Sequence, residues 1–173
     1  MIVAGYLDQG GKGVIQGSLD AGAFDKFFLP DGMIGDSLPK AIGPDLNGSI
    51  GSIPGTDSPG AKKFASLAKS SGFKAGPFSQ ESYDAAALII LAMQSAKSTK
   101  SKDLKNHVMG VANAPGEKIY PGELAKGIGL LKAGKQIDYV GASAVELIGG
   151  GESSGSFREI LIKGGKVTTA GYR

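Results

Sequence analysis

The chain has 173 residues, of which 41% are hydrophobic and 20% charged, a composition typical of a globular protein rather than a disordered one. The net charge is only +3 and the lysines are spread along the chain, so no nucleic-acid partner is predicted. The absence of cysteine and the single histidine, His107, exclude disulfides, thiolate metal sites and pairs of histidine ligands. We predict neither a metal site nor a cofactor, and the longest apolar run, AAALIILAM, is far shorter than the ~20 residues of a membrane helix.

The first part of the chain alternates between strand and helix patterns. Residues 2–6 form a short apolar run before glycines, which predicts a buried strand, and Val14, Ile15 and Leu19 have the spacing of a helix over 11–23. The segments that follow read, in order, as strand (KFFLPDGM), helix (DSLPKAIG), strand (GSIGSIPG) and helix (SPGAKKFASLAKSSGF). Because parallel strands need crossover connections, this alternation predicts an α/β fold with a parallel sheet covered by helices.

The second part begins with the strongest helix pattern of the chain, FSQESYDAAALIILAMQSAKS. Its body is apolar nearly all round, which predicts a helix buried against a large partner surface. Two smaller amphipathic helices, SKDLKNHVMGVAN and GELAKGIGLLKAG, are predicted next. The segment SFREILIKGGKV alternates apolar and polar residues on either side of Gly164-Gly165, which predicts a closing strand or hairpin.

The glycine-rich loop GYLDQGGKGV stands where a phosphate-binding loop would stand. A P-loop requires a glycine at the position of Tyr6 and a hydroxyl residue at the position of Gly13, so the spacing fails at both places. The dinucleotide-binding glycine spacing fails as well. We therefore interpret this loop as a strand-to-helix turn, with a nucleotide site as the disfavoured alternative.

Ligands of open α/β sheets bind beyond the carboxyl ends of the strands, and two predicted loops there carry an acid. Asp8 follows the first strand and Asp31 the second, where either carboxylate could bind a ligand ammonium group. The alternatives are a helix cap for Asp8 and an ordinary Pro-Asp-Gly turn for Asp31. Phe78, at the head of the apolar helix, is either a core aromatic or the edge of a site. No catalytic constellation is recognisable, and His107 is read as a surface or capping residue rather than part of a triad.

Four stretches, taken in order, carry a resemblance to a known family: IVAGYLDQGGKGVIQGSLDAGAF, FFLPDGM, FSQESYDAAALIILAMQSAKS and GKQIDYVGASAVEL followed by GSFREILIKGGKV. They resemble the carboxyl-terminal half of the periplasmic solute-binding proteins of branched-chain amino-acid ABC transporters. The resemblance covers nearly the whole chain. It implies the type I periplasmic binding fold, in which two Rossmann-like α/β lobes joined by crossing segments enclose a ligand in the cleft between them.

The resemblance also implies a division of the chain and a set of site residues. Residues 1–76 would be an α/β segment of the second lobe, 77–136 a mostly helical return to the first lobe, and 137–173 a closing segment returning to the second, incomplete lobe. Tyr6 matches an aromatic contact of the first ligand loop, Asp31 the acid that receives the ligand ammonium, and Phe78 the aromatic that closes over the ligand side chain. Asp stands where the family often has Glu, and Leu147-Ile148 replaces its closing Phe-Asp, which leaves the ligand's identity open.

The function implied is therefore transport rather than catalysis. The protein is expected to bind a small solute, in particular an amino acid, and deliver it to the membrane permease of an ABC transporter in the periplasm. The chain begins directly in a predicted core strand, so we expect it to be a fragment whose apolar helix is left partly uncovered, and hence dimeric or domain-swapped. A nucleotide- or phosphate-binding α/β enzyme domain is the alternative, and a ligand-sensing lobe of a receptor would share the fold.

Overall fold

The computed structural model describes all 173 residues, Met1–Arg173. The helices are α1 (Lys12–Asp20), α2 (Ser37–Ile42), α3 (Pro59–Ser70), α4 (Ser79–Ala96), α5 (Ser101–Leu104), α6 (Val108–Ala112) and α7 (Leu124–Lys132). The strands are β1 (Phe28–Leu29), β2 (Ile50–Pro54), β3 (Glu117–Ile119), β4 (Ile137–Tyr139), β5 (Glu146–Ile148), β6 (Glu152–Ser154), β7 (Phe157–Lys163) and β8 (Lys166–Tyr172). A π-helical turn (Leu7–Gly11) precedes α1, and short 3₁₀ turns follow β1 (Asp31–Met33) and α2 (Gly43–Leu46).

The chain divides into two compact units. Unit 1 comprises Met1–Gly55 together with Phe157–Arg173, and unit 2 comprises Thr56–Ser156. Residues 56–76 and 137–156 thus lie in the same unit as the residues between them, whereas the sequence had suggested grouping them with the first and last segments. The assignment of the predicted segments to the lobes of a larger protein stays a prediction.

Unit 1 is built on a four-stranded mixed sheet in the order β1-β2-β7-β8. β1 and β2 are parallel, while β7 pairs antiparallel with β2 and forms a hairpin with β8. Side chains on one face of the sheet, among them Leu29, Ile53 and Ile160, are buried together with Ile15 of α1 and Leu38 of α2. The predicted α/β class, the parallel strand pair and the closing hairpin are confirmed.

The predicted first strand is much shorter than expected. Residues 2–6 contribute only one parallel bridge, between Ile2 and Phe28, and Ile2 is 71% exposed whereas Val3 is buried. The reason is that β1, the only neighbour available to this segment, has just two residues and the chain turns at Leu7. The prediction of a fully buried strand over 2–6 is therefore wrong.

Unit 2 packs α4 and α7 against the short parallel pair β3–β4. Leu88 and Leu91 of α4 lie in this core with Ile119 and Tyr139. The opposite face of α4 is uncovered, as Ile89 and Ile90 are 48% and 43% exposed. The helix is therefore not buried all round, and the expectation of exposed apolar surface on it is confirmed.

The segment after α4 is broken into two short helices, α5 and α6, where one helix over SKDLKNHVMGVAN was predicted. His107 lies at the junction with φ −111° and ψ −23°, and its ring contacts Ser95 of α4. This contact, together with the weak helix propensity of Asn106 and His107, favours the break. None of the helices combines the length and the apolar character needed to cross a bilayer.

Candidate functional site

The candidate site of unit 1 lies where its parallel segments end. The segment at Ile2 is parallel to β1, and β1 is parallel to β2. The loops that follow these three segments therefore emerge at the same edge of the sheet. Tyr6 lies in the loop after the bridge, and Asp31 lies two residues after the end of β1. This edge is where open α/β sheets bind their ligands.

The turn that carries Tyr6 is closed by backbone contacts rather than left open as an anion cradle. The carbonyl oxygen of Tyr6 accepts hydrogen bonds from the amides of Gln9 (3.2 Å) and Gly11 (3.1 Å). Gly10 has φ +99°, which favours glycine, and a Cβ at Gly11 would lie 2.7 Å from the Tyr6 oxygen and overlap the Met33 side chain. Gly10 and Gly11 are thus explained by tight turning and close packing.

The charges of this loop pair with each other. Lys12 Nζ lies 2.6 Å from Asp8 Oδ1, one helical turn earlier, in an exposed ion pair. A phosphate would have to compete with Asp8 for this lysine. The positive charge of Lys12 also reduces the attraction of the Asp8 carboxylate for a ligand ammonium group. The only side-chain hydrogen bond of Asp8 is the one from Lys12 Nζ, so Asp8 does not cap the helix that follows.

Asp31, in contrast, is an exposed carboxylate with no Lys, Arg or His in ion-pair contact. Its only hydrogen bond is from the amide of Gly32 to Oδ1, at 2.7 Å. The 3₁₀ turn around it is fixed by the Met33 amide, which donates to the carbonyl of Pro30 at 2.8 Å. The second carboxylate oxygen remains available to an external cation or donor.

The Tyr6 ring lies against the turn that carries Asp31. The position that a Cβ would occupy at Gly32 lies 3.0 Å from Cδ1 and 3.2 Å from Cε1 of Tyr6, so the aromatic ring lies against the residue that follows Asp31. The Tyr6 ring is itself largely exposed. An aromatic surface beside an unpaired carboxylate suits a ligand that carries both an ammonium group and an apolar part.

Phe78 belongs to unit 2 and is described there alone. It precedes α4 in the left-handed conformation (φ 62°, ψ 9°), which is unusual for a bulky residue, and its side chain is 41% exposed. It lines a groove of about 480 Å³ between α3 and α4. Phe64 and Tyr83 line the same groove and meet edge to face, with ring centroids 5.4 Å apart.

Sequence reasoning missed the most connected polar side chain of the chain, Asp84. This buried carboxylate accepts four hydrogen bonds: at Oδ1 from Tyr139 Oη (2.8 Å) and the Ala142 amide (2.7 Å), and at Oδ2 from the amide (2.7 Å) and hydroxyl (2.6 Å) of Ser143. Burial, and then the neighbouring Asp84 charge, raise the pKa of Tyr139. Asp84 therefore anchors the loop after β4, and the signal for it is an acid directly before the apolar run of α4.

His107 forms no catalytic triad. Its Nδ1 lies 2.9 Å from Ser95 Oγ, but no carboxylate is hydrogen-bonded to the ring. Asp103, the nearest acid along the chain, accepts a hydrogen bond from Ser98 Oγ instead. The Ser95–His107 pair therefore lacks the carboxylate that orients the imidazole in a Ser-His-Asp triad.

Comparisons with known proteins identify the fold by structure rather than by sequence. No protein-family model matches the chain, and no curated protein matches it by sequence. Among solved structures it is similar to a leucine-binding protein from Thermotoga maritima, with a TM-score of 0.69 and 17% identity, over 97% of this chain and 42% of that one. It is also similar to a type 1 periplasmic binding protein from Bordetella pertussis, with a TM-score of 0.61 and 14% identity, over 91% and 42%.

A third similar structure is an ABC-transporter solute-binding protein from Rhodopseudomonas palustris in complex with p-hydroxybenzoic acid, with a TM-score of 0.56 and 19% identity, over 90% of this chain and 38% of that one. At these identities the comparisons establish the fold: the chain has the architecture of part of a type I periplasmic binding protein. It spans about two-fifths of the length of these proteins. The resemblance seen in the sequence is confirmed at that level.

Proposed function

We propose that the chain is part of a protein that binds a small solute and delivers it to the permease of an ABC transporter in the periplasm. The observation that carries this proposal is the exposed, unpaired carboxylate of Asp31 in a turn whose next residue, Gly32, lies against the Tyr6 ring, at the sheet edge where α/β proteins bind ligands. Such a role needs binding and release rather than a catalytic group.

An amino acid is the ligand that suits this chemistry. Its ammonium group would hydrogen-bond to the free oxygen of Asp31, and an apolar side chain would contact Tyr6. An aromatic acid such as the p-hydroxybenzoic acid bound to one similar protein has no ammonium group, and its carboxylate would be repelled by Asp31. A nucleotide is disfavoured because Lys12 is already paired with Asp8.

The ligand class is tested by thermal shift and calorimetry on the complete product of the gene. The panel contains leucine, isoleucine, valine, phenylalanine, p-hydroxybenzoate and ATP, each at the same ionic strength. We expect stabilisation by at least one amino acid and none by ATP. Stabilisation by ATP alone would overturn the proposal, and stabilisation by p-hydroxybenzoate alone would keep a solute-binding role but exclude the amino acid.

We further propose that the 173-residue chain self-associates through the uncovered face of α4. Ala85, Ala86, Ile89, Ile90 and Met93 form an apolar stripe at helical spacing on this face, and only Met93 is partly buried. Light scattering coupled to size exclusion should give a mass above that of a monomer for the chain. The double variant Ile89→Lys/Ile90→Lys should be monomeric, whereas Ala65→Lys, on an exposed position of α3, should not change the mass. A monomeric parent chain would contradict this.

A further inference from the structure

A cleft of about 410 Å³ lies at the end of unit 2 where α4 and α7 terminate. It is bounded by the last turn of α4, by the junction of α5 and α6, and by the segment that connects α7 to β4. The cleft is at the amino end of β4, so it is distinct from the groove at Phe78. Its lining is mainly polar and contains Lys97, Lys132 and Lys135.

The charge of this cleft is uncompensated. No Asp or Glu lines it, and none of its three lysines forms an ion pair, whereas Lys63 and Lys126 of the same unit do so with Glu123 and Glu117. Asp103, the only acid between residues 85 and 116, already binds Ser98. Asp138 follows the lining residue Ile137, but it is buried, does not line the cleft and forms no ion pair with the three lysines. Like charges gathered in this way repel each other in the absence of an anion.

The helix dipoles explain the positions of two of the three lysines but not of the third. A lysine beside the carboxyl end of a helix is favourable, and Lys97 and Lys132 hold such positions on α4 and α7. Terminal carbonyls there are, however, already hydrogen-bonded to amides: those of Leu130 and Leu131 accept from Lys135 (3.0 Å) and Gly134 (3.1 Å), and that of Met93 from Ser98 (3.3 Å). The ammonium groups are therefore not needed to cap these helices, and Lys135 is an additional charge.

Neutral donors complete the lining. Ser95 Oγ and His107 Nδ1 are 2.9 Å apart, so that a hydroxyl donating to Nδ1 leaves the other ring nitrogen as a donor. The amides of Asn106 and Gln136 also line the cleft. Several positive charges and neutral N–H donors that line one cleft without a carboxylate are the chemistry that binds an oxyanion carrying more than one charge.

We propose that this cleft binds a phosphate group, held by Lys97, Lys132 and Lys135. The group is either a free phosphate or the headgroup of an anionic phospholipid, since both present the same oxygens to the lysines. The proposal does not depend on the solute site at Asp31, which lies in the other unit.

Calorimetric titration of the 173-residue chain with inorganic phosphate, against chloride at equal ionic strength, tests this directly. We expect saturable binding whose dissociation constant rises roughly tenfold or more in the variant Lys132→Gln/Lys135→Gln. The matched control is Lys62→Gln/Lys69→Gln, which removes the same charge from exposed, unpaired positions of α3 and should leave the affinity unchanged. The single variant Lys97→Gln gives a second reading of the cleft should circular dichroism show that the double variant is misfolded.

Sedimentation with vesicles separates the two sources of phosphate. Binding to phosphatidic acid in phosphatidylcholine, but not to phosphatidylcholine alone, and its loss in the cleft variant would identify a lipid headgroup. Binding of inorganic phosphate without vesicle binding would identify the free ion. Absence of saturable heat and of vesicle binding, or an equal loss in the α3 control, would overturn the proposal.

Discussion

Replacing Asp84 tests how unit 2 is held together. Each carboxylate oxygen of Asp84 accepts one backbone amide, from Ala142 or Ser143, and one hydroxyl, from Tyr139 or Ser143. In Asp84→Asn one of these oxygens becomes an NH₂ group, which cannot accept. A hydroxyl can rotate to accept from it, but a backbone amide cannot, so either orientation leaves one buried amide facing a donor.

The magnitude follows from these contacts. Hydrogen bonds to a charged group contribute about 1.5–3 kcal/mol, and an unsatisfied buried donor costs about 1–3 kcal/mol. Because the four bonds share one carboxylate, their contributions are not additive. We expect Asp84→Asn to lower the free energy of unfolding by about 2–3 kcal/mol and Asp84→Ala by about 3–4 kcal/mol.

Urea denaturation followed by circular dichroism measures the loss, and amide hydrogen exchange places it. Exchange should accelerate at Ala142 and Ser143, whereas Ile160 and Ile162 in the core of unit 1 should be unaffected. Asp57→Asn, at an exposed position of unit 2, is the control and should change stability by less than about 0.5 kcal/mol. The anchoring role would be refuted if Asp84→Asn lowered the free energy of unfolding by less than about 1 kcal/mol, or by the same amount as the control Asp57→Asn.

Three further predictions concern Asp31, Gly11 and Tyr139. Asp31→Asn in the complete protein should weaken amino-acid binding by roughly 1.5–3 kcal/mol in calorimetry, and an unchanged affinity would leave Asp31 as a turn residue. Gly11→Ala should destabilise the chain by about 1–3 kcal/mol in thermal unfolding because the added Cβ overlaps Met33, whereas Gly13→Ala, with open space around it, should be neutral or stabilising; equal effects would contradict the packing argument. Burial, and then the Asp84 charge, raise the pKa of Tyr139 in the folded state. The protonated hydroxyl therefore stabilises the fold below pH about 10, the pKa of tyrosine in the unfolded chain, and this stabilisation is lost as the pH rises above that value. Tyr139→Phe should reduce the fall of the unfolding free energy with rising alkaline pH, measured by urea denaturation at a series of pH values. The same pH dependence in Tyr139→Phe and the parent chain would show that ionisation of Tyr139 is not its cause.

Local patterns were enough to predict the helices and strands of unit 1 after residue 11 and the common sheet edge at which its first two loops emerge. The acids after successive parallel strands had to emerge at one sheet edge, and Tyr6 indeed lies against the residue next to Asp31. Periodicity overestimated the strand over 2–6, because a strand's length depends on a neighbour and β1 offers only two residues. The solute-binding role of these residues stays a prediction.

Contacts between distant parts of the chain were out of reach of such reasoning. Asp84 and its donors are separated by 55 to 59 residues, and nothing in the local pattern of α4 indicates which loop its carboxylate will meet. The break at His107 likewise depends on Ser95, a residue of another helix. The lysines that line the basic cleft lie in separate parts of the sequence, so no run of positive charge in the sequence indicates the cleft.

Three acids of this chain show how environment, rather than residue type, decides what a carboxylate can do. Asp84 is buried with all its bonding capacity used by four donors, so it can hold a loop but cannot receive a ligand. Asp8 is exposed but paired with Lys12, which lowers its attraction for another cation. Of these three, only Asp31 is exposed, has no cationic partner and is followed by a residue that lies against an aromatic ring. Of the two acidic loops that the sequence placed at the sheet edge, the second is therefore the one that we expect to bind an ammonium group.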